Sequence, residues 1–152
     1  MSEGGAVALL LCLAIMTASC GESAPQVSPK RDAKRSYKEF RETIATFPYM
    51  APRERRDRIV AGYSRLRVGM TKDEVAVTIG EPDYSQLTTS KSPSPGWTGS
   101  AWMYYLSMLS DGANTRDAVV HVFFDREDRA IWIVPSNIGE LHEKGSLSQR
   151  GT

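Results

Sequence analysis

Residues 66–83, LRVGMTKDEVAVTIGEPD, constrain the fold more than any other segment of the chain. Thr71 with Glu74 three residues on forms a capping box, and Met70 ahead of the cap can pack on Val75 as a hydrophobic staple. The helix start is thereby fixed at Thr71. Val75 and Ile79 supply its buried face, Gly80 suits a left-handed C-terminal cap, and Pro82 prevents continuation. A helix this short does not persist alone in water, so it must be held by packing against another element.

Period-two patterns identify that element as a sheet. Trp102, Tyr104, Leu106 and Met108 alternate along one strand and Val120, Val122 and Phe124 along another, with Asp125 to Arg129 turning into Ile131 and Ile133. Residues 88–100, TTSKSPSPGWTGS, are too rich in Ser, Pro and Gly for regular structure and are expected to form an exposed loop. Upstream, Tyr37, Phe40, Ile44 and Phe47 recur at helical spacing, predicting a helix that ends near Thr46. A second helix is expected from Pro52, with Ile59, Tyr63 and Leu66 as its apolar stripe. Helices followed by strands without alternation imply an α+β layer pair with an antiparallel sheet.

At 152 residues and 41% hydrophobic, the chain can bury one modest core. Its net charge of +1 gives no sign of a nucleic-acid partner. The charge is unevenly spread. Lys30 to Arg67 holds twelve basic and five acidic residues, whereas Val68 to Thr152 holds seven basic and eleven acidic. The basic region is a candidate contact for anionic lipid, the alternative being a solvated helix face. Both cysteines, Cys12 and Cys20, fall in the first twenty residues, which leaves the body of the chain no disulfide, thiolate metal site or cysteine nucleophile.

The apolar run from Ala6 to Ala18, AVALLLCLAIMTA, is shorter than the roughly 20 residues a helix needs to cross a bilayer and fits a signal-peptide core. Small residues lead directly into Cys20, as in a bacterial lipobox whose cysteine is acylated. Thr17 stands where that pattern favours leucine, and the leading MSEGG has no Lys or Arg, so an ordinary secretory signal is the alternative. Acylation at Cys20 would contribute about 0.8 kcal/mol per buried CH₂, enough with two or more chains to hold a domain without a hydrophobic span. The expected plan is a signal peptide over 1–19, a lipidated cysteine and flexible tether over 20–35, an N-terminal helix over 36–50, an α+β domain over 52–135 and a flexible tail over 136–152.

The inventory for catalysis is thin. His121 and His142 are the only histidines, and no zincin, nucleophile-elbow or P-loop spacing occurs, so no catalytic residue, metal site or cofactor is assigned. Asp125, Glu127 and Asp128 cluster at the hairpin turn beside Arg126 and Arg129, which favours a solvated turn over a cation site. Since helices can cover one sheet face, aromatic and Met residues on the other are candidate partner contacts: Met103, Tyr105 and Trp132, with Trp97 in the Ser/Pro loop as a further one.

The runs RVGMTKDEVAVTIGEPD, AWMYYL and VVHVFFDREDRAIWI together resemble the SmpA/OmlA (BamE-like) lipoprotein family, over roughly Arg55 to Val134. The matching positions include Gly69, Met70, Thr71, Glu74, Val75, Gly80 and Pro82, with Trp102, Tyr104, Phe124 and Asp125 downstream; capping and packing account for nearly all of them. The resemblance implies an α-α-β-β-β domain with a three-stranded antiparallel sheet, to which this chain adds an N-terminal helix. It also implies attachment at the periplasmic face of the outer membrane and a non-enzymatic accessory role in outer-membrane protein assembly or envelope integrity, with barrel-assembly subunits as partners. The same fold carries inhibitor proteins, so a soluble periplasmic inhibitor or binding module is the alternative.

Overall fold

One strand of eleven residues, Thr98–Met108, forms the spine on which the rest of the molecule is arranged. The computed structural model describes residues 35–89, 98–112, 114–139 and 141–146. In chain order they form α1 (Tyr37–Glu42), β1 (Tyr49–Met50), α2 (Arg53–Tyr63), α3 (Lys72–Ile79), β2 (Tyr84–Thr89), β3 (Thr98–Met108), β4 (Ala118–Phe124), β5 (Ala130–Ser136) and β6 (Lys144–Gly145). β1 and β2 share one side of β3; β4, β5 and β6 follow on the other, and every pairing is antiparallel.

The α+β class and antiparallel sheet are as expected, but the described residues form six strands where three were expected. The β2–β3 hairpin extends through Thr88, Thr89 and Thr98 into the segment read as loop, since β-branched threonine suits a pleated strand. β1 and β6 are two-residue strands that satisfy backbone groups along the sheet margins, Tyr49 opposite Met108 and Lys144 opposite Ile133. Strands that short leave no period to read.

The first sheet face carries the main core. Ile59, Tyr63 and Leu66 from α2 and its exit, and Val75, Ala76 and Ile79 from α3, pack on Trp102, Tyr104, Leu106, Val120, Val122, Phe124 and Ile133. α3 begins as expected: the Thr71 hydroxyl accepts from the Glu74 amide and the Glu74 carboxylate accepts from the Thr71 amide at 2.7 Å. Gly80 ends the helix with φ +94° and ψ −178°. That is a region essentially restricted to glycine, but it is not the left-handed helical cap expected. The loop before α3 pins the helices to the sheet, Gly69 N–H donating to Ala130 O at 2.6 Å and Ala130 N–H to Met70 O at 2.7 Å.

Two irregularities correct the strand readings. A register shift between Tyr105 and Ser107 turns Met108 to the opposite face from Leu106. A second, between Phe123 and Phe124, leaves Ile131 unpaired across from β4 and out of the core. A bulge inserts one residue and reverses the alternation beyond it.

The second face is covered over half its width by α1. Phe40 and Ile44 bury themselves against Tyr84, Ala101, Met103, Tyr105, Met108 and Val119, with Phe40 stacked on Tyr84 and Tyr105 at 6.0 and 5.6 Å. α1 stops at Glu42, short of Thr46. The Thr43 hydroxyl donates to Phe40 O at 2.6 Å, diverting the backbone at the C-cap.

Residues 138–146 were expected to be tail, yet most of them pack on the domain. Ile138 and Leu141 rest on the first core, and Lys144 Nζ donates to Tyr63 O at 2.7 Å and Leu66 O at 3.1 Å. An ammonium there adds a second donor to carbonyls where α2 ends and suits the negative end of its dipole. The Tyr63 hydroxyl in turn donates to His142 O at 2.6 Å, and burial pushes its pKa up to about 12.

Candidate functional site: the open half of the sheet

The antiparallel register lays residues out in rows across the second face. Tyr84, Met103, His121 and Val134 form one row, and Gln86, Ala101, Phe123, Trp132 and Gly145 the next. α1 covers Tyr84 and Met103 of the first row and Ala101 of the second, leaving Gln86 exposed. Of the four candidate contacts, this buries Met103 and Tyr105, to 6% and 7% exposure, and so corrects their assignment as partner contacts. Trp132 keeps its place on the open half. Trp97 and Cys20 lie outside the described residues, as do the signal segment and all of the expected tether except Arg35, which pairs with Asp83 and so belongs to the domain.

On the β4–β5 half, His121, Phe123, Trp132 and Val134 are only partly buried. Phe123 stacks on Trp132 with ring centroids 4.8 Å apart, and His121 stacks on Phe123 at 6.1 Å. The Trp132 indole N–H donates to Glu143 Oε1 at 2.6 Å, so the ring is fixed at both faces of its environment: apolar inward, carboxylate at the rim. Desolvation lowers the His121 pKa below its ordinary value, which keeps the imidazole neutral at pH 7. The result is a continuous, preorganised aromatic and aliphatic strip. Phe123, Val134 and Glu143 were not picked from the sequence. The signal for Phe123 was present, since it follows His121 by two residues and must share its face.

The motif residues sit elsewhere and serve the scaffold. Gly69 and Met70 exchange backbone hydrogen bonds with β5, Thr71 and Glu74 cap α3, Val75 is in the core, and Gly80 O accepts from the Tyr104 hydroxyl at 3.2 Å. Pro82 is buried after the helix. Of the turn carboxylates, Asp128 pairs with Lys72 Nζ at 2.8 Å, and Asp125 Oδ1 accepts the amides of Glu127 and Arg129 at 3.1 and 2.8 Å. Among the described residues, no group of three or more His, Cys, Asp or Glu could hold a metal ion, and no helix is long and apolar enough to cross a membrane.

Much of the basic excess of Lys30 to Arg67 is consumed inside the domain. Arg55 Nη2 lies 3.0 Å from Asp83 Oδ1 and Arg35 Nη2 3.6 Å, while Arg41 pairs with Asp111 at 2.5 Å and lies over the Phe47 ring. Asp83 is buried, with Oδ2 accepting from the Tyr105 amide at 2.6 Å. Burial pushes its carboxyl up, and the two arginines oppose that shift. Arg53, in contrast, is largely exposed and makes only a long pair with Asp57.

Comparison of the chain with protein-family models, curated proteins and solved structures finds no match.

Proposed function

We propose that the chain is a lipid-anchored envelope accessory protein, a divergent relative of the SmpA/OmlA (BamE-like) family, that binds another envelope protein through the open half of its sheet. The observation that carries this reading is the Phe123–Trp132 stack with His121 and Val134, an aromatic strip held ready at the surface of an otherwise well-covered sheet. Fixed rings offer contact area at low entropic cost, which is how small interfaces reach useful affinity.

The anchor is Cys20, acylated after export and held at the periplasmic face of the outer membrane. With Cys20 only 15 positions ahead of Arg35, the domain works close to the bilayer. Outward arginines of α2, Arg53 among them, are then within reach of anionic headgroups as a secondary contact. The role is binding, in outer-membrane protein assembly or envelope integrity, with barrel-assembly subunits as the first partners to test.

Membrane fractionation of wild type and Cys20→Ser, with mass spectrometry of the mature N-terminus, tests the anchor; co-purification with barrel-assembly subunits, compared between wild type and Trp132→Ala, tests the strip. Acylated protein in the outer membrane and loss of the partner with Trp132→Ala is the expected result. Unmodified protein in the soluble periplasm would favour the inhibitor or binding-module reading instead.

A further inference from the structure

We infer that the strip accepts a polypeptide segment in which an apolar side chain is flanked by Lys or Arg, an inference that rests on the binding role proposed above. The floor of the strip is uncharged: β4, AVVHVFF, and β5, AIWIVPS, contain no Lys, Arg, Asp or Glu. Its border at β6 is not. Gly145 opposes Trp132, so Glu143 two residues earlier alternates onto the same face across from Val134, and its carboxylate already accepts from the Trp132 indole. At the other end Asp125 is spent on its own turn, its Oδ1 accepting the Glu127 and Arg129 amides, so the charge bordering the strip is that of Glu143.

Two nearby cations are engaged away from this face. Lys144 Nζ is committed to the carbonyls that end α2, and Arg129 Nη1 donates to Gly69 O at 3.0 Å on the helix side. Neutral His121 adds no positive charge at pH 7. The strip is therefore apolar with the Glu143 carboxylate at its rim.

An exposed ion pair alone contributes little, partly because two long side chains must be ordered. Here the indole N–H already orders Glu143, and the Trp132 ring beside it offers a face for a guanidinium or ammonium. An acidic flank would meet like charge, so the same groups that attract a basic segment reject an acidic one.

The test uses the full-length chain, solubilised in detergent, and two fluorescently labelled synthetic peptides with the same Leu-Phe-Leu core, one flanked by Lys and one by Glu, read by anisotropy at low salt. The Lys-flanked peptide should bind about tenfold more tightly, and Glu143→Lys should reverse that preference. Phe123→Ala should weaken both peptides. Equal binding of the two, or a preference that Glu143→Lys leaves unchanged, overturns the charge inference while Phe123 dependence keeps the docking reading. Binding of neither peptide, or binding indifferent to Phe123→Ala, sinks both.

Discussion

Asp83 Oδ1 sits 3.0 Å from Arg55 Nη2, joining the residue just before β2 to the first turn of α2. The same carboxylate takes Arg35 from the other side of the sheet and the Tyr105 amide from β3. One buried group thus ties together the helix layer, the sheet and the N-terminal cover.

Asp83→Ala should cost about 3 kcal/mol, since it leaves Arg55 partly buried beside no counter-charge. The pH dependence has a definite sign. With its carboxyl pKa raised by burial, folded Asp83 holds its proton more tightly than the unfolded chain does. Its contribution is therefore greatest below the ordinary carboxylate value and declines as pH rises through the raised one. Melting temperatures of wild type and Asp83→Asn from pH 3 upward should show the gap narrowing, or reversing, as pH rises; a gap that widens contradicts the assignment.

Thr71→Ala removes the cap on α3 and should lower stability by about 1 kcal/mol, read by urea denaturation. Hydrogen bonds from Thr71 hold the Glu74 carboxyl below its ordinary value. Glu74 therefore stabilises at neutral pH, and its part is lost as pH falls through that lowered value. Thr71→Ala keeps the residue-71 amide that donates to Glu74, so the gap from wild type should narrow in acid only by the hydroxyl's own bond to the carboxylate, and the lost cap on the Glu74 amide should persist.

Gly62→Ala should destabilise, although alanine favours an exposed helix over glycine by about 1 kcal/mol. A Cβ at Gly62 would lie 2.7 Å from both Thr78 O and Ile79 Cγ2, where α2 crosses α3. Thermal melts decide the sign, and a stabilised variant would mean that the two helices can separate without loss.

Phe40→Ala should cost about 3 to 5 kcal/mol or release α1 outright, exposing Tyr84 and Tyr105 to solvent. Faster amide exchange over 37–44 with unchanged exchange in β4 would mark a local opening. Uniform loss of protection would instead make α1 part of one cooperative unit.

The parts of the fold legible in the sequence were those fixed by local chemistry: the Thr71–Glu74 box, the alternation through Val120, Val122 and Phe124, and the stripe of Ile59, Tyr63 and Leu66. The bulges near Tyr105 and Phe123 were not legible, because alternation assumes an unbroken pleat. Nor was it legible that Phe40 and Ile44 would take the second face, since amphipathicity says that a surface is buried without naming its partner. Lys144 reads as a solvated tail residue until the carbonyls of Tyr63 and Leu66 are seen around it. The open strip was half legible: Trp132 was chosen for its type, while Phe123 and Glu143 emerge only from register.

The route by which the chain enters the domain has a mechanical consequence. Arg35 meets the edge of β2, its carbonyl accepting from Ser85 N–H and its side chain gripping Asp83. Tension applied ahead of Arg35 is borne first by those contacts and then by the six residues of α1, before it reaches any long strand. That short element can yield like a fuse, lengthening under load while β3, β4 and β5 stay folded.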